Sequence, residues 1–323
     1  PFIYALALEN NFTPSTLVLD APIVLEQGSD LKMWKPENYG KKFYGPSTLR
    51  TGVEKSRNLM TVRIAQEIGI EKIVKLSEDL GIYSNLKPLL SVSLGSSETT
   101  LLNLTTAYSS FVNGGKKVEP IIIERIQDRN GKNILTNKSK ICLGCDSLPD
   151  SQIGKNPILK QNHVQIFDES TAFQILSILE GVIQRGTGKK LKYLNVPIAG
   201  KTGTTNENTD AFFIGLTSEL AIGVYVGFDQ PKTLGKFETG SKAALPIFEK
   251  FIKSALKKND FTEFEIPNGI NFANVDYNTG EFVGFNATKN SIIESFKDSD
   301  IRNSEKKFNN EKFDQLIKFR QFY

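Results

Sequence analysis

Two short stretches of this 323-residue sequence carry residue types that could do chemistry: "AGKTGTT" at residues 199–205 and "KSRN" at residues 55–58. An ammonium beside glycines and hydroxyls can cradle a phosphate or line an acyl-transfer site. The phosphate loop requires G-x-x-x-x-G-K-[ST], with its first glycine placed so that successive backbone N–H groups close around the anion. That position is Asn195, and "TDAFFIGL" follows the lysine with strand composition where a phosphate loop would open a helix. Nucleotide binding is therefore excluded. For acyl transfer, a Ser-His-Asp triad would have to use His163, the sole histidine, and no G-x-S-x-G elbow occurs. Lysine can replace histidine as the base. The two pieces left for such a site are Ser56-x-Asn58, between two predicted helices, and Lys201-Thr202-Gly203, on a predicted strand.

The other reactive pair is Cys142 and Cys145 in "CLGC". A zinc site would need two more ligands, which one histidine cannot supply, so no metal is expected. A thioredoxin-type pair wants a preceding strand and a following helix, whereas "DSLPDSQIGKNP" follows. A local disulfide in an oxidising compartment is the reading that remains.

The elements that must hold these residues can be read from periodicity and breakers. "PFIYALALENN" reads as a helix already in progress, without a capping residue ahead of it. Residues 11–45, rich in Pro, Gly and Asn, are expected to be irregular, anchored by Trp34 and Tyr39. Ser47 is the expected cap of a short helix ending near Lys55. Further helices are predicted at 59–67 and 71–80, stopped by Gly69 and Gly81, and at 101–112, closed by Gly114 and Gly115. From Val118 to Ile134 the pattern shortens to a hairpin around "DRNGKN". A helix over 170–184 follows, capped by Asp168 or Ser170, and then three strands, "VPIAGKTGTT", "DAFFIGLT" and "LAIGVYVGFD". Their short connections imply an antiparallel sheet. "ALPIFEKFIKSALKK" reads as an amphipathic helix, and the polar tail beyond residue 259 is expected to end in a mobile segment.

With 39% hydrophobic residues the chain can bury a sizeable core. Forty basic against 36 acidic residues leave +4, too slight and too dispersed to imply a nucleic-acid partner. The one tempting apolar span, Ala211 to Phe228, is interrupted by Thr217, Ser218 and Glu219 and reads as a hairpin rather than a membrane helix.

Together the motifs resemble those of the serine transpeptidases and β-lactamases, S-x-x-K, S-x-N and K-[ST]-G. The resemblance is closest to the class A, bifunctional penicillin-binding proteins of the 1A type. It extends through "MWKPENYGKKFYGPSTLRTGVEKSRN", "SLGSSETTLLNLTTAYSSFVNGG", "STAFQILSILEGVIQRGTG" and "AGKTGTTNENTDAFFIGLTSELAIGVYVGFD", in that family's order. It implies an α+β, serine β-lactamase/transpeptidase-like fold: an antiparallel sheet flanked by helices plus a mainly helical subdomain, incomplete at its N-terminus. Residues 1–257 would be the transpeptidase domain, divided into 1–115 with S-x-N, a 116–165 insertion and 166–257 with K-T-G; residues 258–323 would be a partly disordered extension. Carried over, Ser56 relays a proton between the catalytic lysine and the leaving amine, and Asn58 hydrogen-bonds the substrate amide. Lys201 supplies positive potential beside Ser56. Thr202 and Thr204 offer hydroxyls to the substrate carboxylate, the Thr204 N–H forms half of an oxyanion hole, and Thr205 belongs to the same binding strand. Gly203 lets an extended peptide approach the strand edge.

The family's first motif is the departure. A nucleophilic serine and a lysine one helical turn later should precede S-x-N by fifty or sixty residues, and that helix continues from the lysine as proline plus apolar residues. This chain opens "PFIYALAL", 55 residues ahead of Ser56, so the expectation is that S-x-x-K lies upstream of Pro1. Internal S-x-x-K tetrapeptides start at Ser29, Ser84, Ser254 and Ser304, and 24 serines and 32 lysines supply such matches by chance. The implied activity is D,D-transpeptidation of peptidoglycan stem peptides ending in D-Ala-D-Ala, with β-lactams as covalent inhibitors and no cofactor. The parent would add a glycosyltransferase domain and an N-terminal membrane anchor, facing the periplasm across the inner membrane. This chain alone is expected to be inactive. The alternatives are a D,D-carboxypeptidase or β-lactamase-like hydrolase, and a non-enzymatic remnant.

Overall fold

The computed structural model describes residues 1–27, 32–137, 140–143, 158–161, 163–284 and 288–305. The chain opens with α1 (Phe2–Glu9), which buries Ile3, Tyr4, Ala5, Ala7 and Leu8. A helix this apolar on most of its surface must lie inside the fold. It packs on α2 (Leu49–Glu54), α3 (Asn58–Ile68) and α6 (Glu169–Gln184), and the Tyr4 hydroxyl meets the Thr61 hydroxyl at 3.0 Å. With α4 (Ile70–Asp79) and α5 (Leu101–Val112), these helices enclose the larger core, where Phe2, Phe111 and Phe167 stack in turn and Tyr108 meets Phe2 and Phe111 edge-on. Gly69 and Gly81 both have positive φ at the helix ends, as the sequence predicts.

The three strands β9 (Ala199–Thr204), β10 (Ala211–Leu216) and β11 (Ala221–Val226) form one antiparallel sheet in the order β11-β10-β9. The apolar span at 211–228 is thus a hairpin. Helix α7 (Leu245–Ala255) covers the sheet through a second core in which Phe213 and Phe248 lie 4.8 Å apart. Among the described residues β9 is an edge strand.

Two regions depart from the sequence reading. Residues 11–45 are not merely irregular: β1 (Leu17–Asp20) pairs with β4 (Gly45–Thr48), and β2 (Leu25–Gln27) with β3 (Lys32–Trp34). Tyr39 is 65% exposed rather than packed in the core, with its hydroxyl reaching Asn208 Oδ1 at 3.5 Å, and the cap of α2 is Thr48, whose hydroxyl accepts from the Thr51 N–H, rather than Ser47. Strands of three or four residues among prolines and glycines leave almost no alternation to read. The insertion holds the expected hairpin, β5 (Arg125–Gln127) with β6 (Asn133–Thr136), and then β7 (Lys140–Leu143) paired with β8 (Ile158–Gln161). Beyond α7, β12 (Ile270–Asp276) pairs with β13 (Ser291–Lys297), followed by α8 (Asp298–Glu305). This last hairpin packs on α6 and buries Glu294, Ser295, Phe296 and Lys297.

Candidate active site

Ser56 sits in the three-residue break between α2 and α3 and is one of the few non-glycine residues with positive φ, 55°. The break is fixed by its own backbone: Ser56 N–H donates to the Val53 carbonyl and Arg57 N–H to the Gly52 carbonyl. Arg57 is steadied from outside by the Tyr44 ring, 3.2 Å beneath its guanidinium carbon, and by Asp20. Asn58 opens α3, and its amide donates to the Glu37 carbonyl at 2.8 Å. The structure therefore brings both residues of S-x-N to one rim.

Lys201, 145 residues later on β9, donates from Nζ to the Ser56 Oγ at 2.9 Å and to the Thr202 carbonyl at 2.9 Å. Both partners are neutral oxygens, and burial pushes the Lys201 ammonium down to about 8. An ammonium held this way keeps its positive potential for an incoming anion.

Along β9 the alternation of a strand divides the remaining residues. Thr202 faces Thr187, hydroxyl to hydroxyl at 2.7 Å. Thr204 is exposed and its hydroxyl accepts the Gly240 N–H at 3.1 Å. Gly203 is opposite Phe212, and a Cβ there would come within 3.2 Å of the Phe212 Cβ. Crowding from within the sheet therefore adds to the ligand-approach argument for glycine. Thr205 lies beyond the strand: its hydroxyl accepts the Asp210 N–H at 2.8 Å and bonds the Thr209 hydroxyl, holding the β9–β10 turn.

Beneath Ser56 lies a buried ionic cluster. Arg50 makes a two-pronged contact with Glu294 of β13, donates to the Ser177 carbonyl and hydroxyl at 2.9 Å, and reaches Glu54 at 3.4 Å. Glu54 also accepts from Arg185 at 2.6 and 3.2 Å and from the Tyr277 hydroxyl at 2.9 Å. Burial alone would lower Arg50, but Glu294 and Glu54 hold it above its ordinary value. Burial and Glu54 push Tyr277 up to about 12.

Sequence reasoning missed Thr187 and Gly240. The "RGTGK" stretch after α6 gave the only signal for Thr187, since glycines there mark a tight turn and not a hydroxyl aimed at β9. Of the S-x-x-K tetrapeptides, Ser84–Lys87 lies exposed in a loop and Ser254–Lys257 exposed at the end of α7. Ser29 and Lys307 lie outside the described residues, as does Cys145, and with it the disulfide reading; Cys142 falls on β7. His163 is exposed.

The model of the penicillin-binding protein transpeptidase domain matches residues 1–253. Penicillin-binding protein 1A of Rickettsia conorii is 43% identical over 304 residues, covering 93% of this chain and 38% of that protein. The chain therefore spans about two fifths of the length of this curated relative. The crystal structure of penicillin-binding protein 1A from Haemophilus influenzae superposes with a TM-score of 0.76 at 31% identity, over 92% of this chain and 46% of that one. PonA1 of Mycobacterium tuberculosis, solved with penicillin V, shares the fold at a TM-score of 0.63 and 18% identity, over 82% of this chain and 69% of that one. The α+β architecture, the ordered motifs and these matches agree, and the chain belongs to the penicillin-binding protein transpeptidase family, with relatives of the 1A type.

Proposed function

We propose that the Ser56–Lys201 centre is part of the D,D-transpeptidase site of a peptidoglycan synthase. The observation that carries this is the Lys201 Nζ to Ser56 Oγ hydrogen bond at 2.9 Å, which joins S-x-N to K-T-G across 145 residues. In the proposed reaction a serine oxygen attacks the D-Ala-D-Ala amide carbon and its proton passes to the lysine of S-x-x-K. Ser56 relays a proton to the departing D-alanine nitrogen as the C–N bond breaks. An amine of a neighbouring stem peptide then attacks the acyl-enzyme, loses a proton and releases the serine. Asn58 Oδ1 is left to accept from the substrate amide, because its Nδ2 is engaged by Glu37. Lys201, Thr202 and Thr204 receive the terminal carboxylate, and the Thr204 N–H contributes to the oxyanion hole. Thr205 contributes by fixing the end of β9.

In this reading the S-x-x-K serine and lysine are not among residues 1–323. The chain by itself is inactive. Residues 1–257 form the transpeptidase part and 258–323 an extension. β-Lactams acylate the intact protein, as the penicillin V complex of the related PonA1 suggests by likeness. The protein works at the periplasmic face of the inner membrane through a separate anchor; among the described residues no helix is long and apolar enough to cross a membrane.

Labelling with a fluorescent penicillin tests this. The intact natural protein should take up one label, lost on Lys201→Ala, while the 323-residue chain takes up none. A label on Ser56 or any other serine within residues 1–323 sinks the assignment. Analysis of products from the intact protein then separates cross-linking from simple hydrolysis.

A further inference from the structure

Hairpin β12–β13 lies beyond the matched transpeptidase model, which ends at residue 253, yet it reaches under the catalytic rim. Tyr277, just past β12, places its hydroxyl on Glu54 Oε2 at 2.9 Å, and its carbonyl accepts from the Thr48 hydroxyl that caps α2. Glu294 on β13 grips Arg50 with both oxygens. Residues 277 and 294 thus hold α2 at its first turn and its last, two residues before Ser56. The Arg185 guanidinium closes the ring: it bonds Glu54, and its carbon lies 5.5 Å from the centre of the Tyr277 ring.

The same cluster reaches the other motif. Glu54 O accepts the Thr187 N–H at 3.2 Å, Lys55 Nζ donates to the Arg185 carbonyl, and the Thr187 hydroxyl meets Thr202 at 2.7 Å. Gly181 lets Glu54 lie against α6, since any Cβ there would collide with the Glu54 carboxylate. Glu54, through its carboxylate on Arg50, Arg185 and Tyr277 and its backbone carbonyl on Thr187, therefore ties the S-x-N break and the K-T-G strand to a common base.

From this geometry we infer that Tyr277 and Glu294 are positioning residues for the reaction, acting on Ser56 through Glu54 and Arg50. This rests on the transpeptidase reading above for its effect on rate, although the mechanical link does not. Displacements of about 1 Å at a reacting group can cost two orders of magnitude in rate. Loss of the single Tyr277 hydroxyl should therefore slow acylation about ten-fold. The other proton-bearing and charged groups facing Glu54 are Arg50, Arg185 and Lys55, and each stays in place in that variant.

The test uses the intact natural protein with Tyr277→Phe, and Ile293→Ala on the exposed face of β13 as the control. Two readouts are taken: the acylation rate constant separated from the affinity of the initial penicillin complex, and hydrogen exchange resolved along the chain. The inference expects a slower acylation step at unchanged initial affinity. It also expects faster exchange of the Lys55, Ser56 and Arg57 amides, at least about five-fold, with β9–β11 unchanged and Ile293→Ala like the parent. Exchange that is unaltered at 55–57, or that rises uniformly over the whole domain, overturns it. So does a lower rate that merely tracks a lower fraction folded. If the parent is not acylated at all, the transpeptidase reading fails, and the exchange pattern still decides whether the hairpin holds Ser56.

Discussion

Two buried charge clusters lie only a few residues apart, and they are built on opposite plans. Behind Ser56, Arg50, Glu54, Arg185 and Glu294 neutralise one another, and every one of these side chains has a counter-charge in contact. In front, the partners of Lys201 among the described residues are the Ser56 hydroxyl and the Thr202 carbonyl. The first arrangement uses charge to hold elements in place. The second leaves a cation without a carboxylate in contact among the described residues, on the edge strand to which the proposed reading assigns the substrate carboxylate. Matched charge marks the framework, and unmatched charge marks the place where a ligand completes the site.

The contrast breaks most readily at the framework. Glu294→Ala strips one partner from a fully buried pair and leaves Arg50 facing Glu54 alone; about 3–5 kcal/mol of stability should be lost in a urea titration. A loss below about 1 kcal/mol would show that Arg50 is satisfied without the hairpin. In front, the effect is on pH dependence. Burial lowers Lys201 from 10.5 to about 8, so the folded chain carries a desolvated ammonium below pH 8 and sheds the proton before the unfolded chain does. Stability from this group should therefore rise between about pH 8 and 10.5 and level off above. Relative to Lys201→Met, melting temperatures of the parent should climb through that window; parallel curves would show that Lys201 is hydrated.

A smaller effect tests the bridge between the clusters. Thr187→Val removes the hydroxyl contact with Thr202 and should cost about 1 kcal/mol, read by thermal unfolding. The smallest effect sharpens the argument by contrast. Lys116 and Glu169 form an ion pair at 3.2 Å, but their side chains are 37% and 55% exposed, and Lys116→Ala should change stability by less than about 0.5 kcal/mol.

Much of this was legible in the sequence. Helices α3 to α6 announced themselves by apolar period and glycine stops, the β9–β11 sheet by its short connections, and Lys201 and Ser56 by their motif neighbours. Local signals of that kind end where partners are distant. Nothing about Arg50 in "TLRTGVE" indicates that its carboxylate is Glu294, and the polar alternation of residues 270–297 reads as tail because the apolar face it buries is small: Ala273, Val275 and Phe296. Thr187 was hidden for the same reason, since its role depends on a strand that the turn itself positions. The pairs β1–β4 and β2–β3 escaped because three or four residues set too little pattern among prolines and glycines.

The Arg50–Glu294 contact spans 244 residues, and that separation has a meaning in time. At a synthesis rate of roughly 5–20 residues per second, Glu294 leaves the ribosome some 12–50 s after Arg50. Until then α2 and α6 can collapse only by trapping a guanidinium without its main partner. The nascent helical part is thus discouraged from closing early, and hairpin β12–β13 is the piece that lets the rim around Ser56 settle.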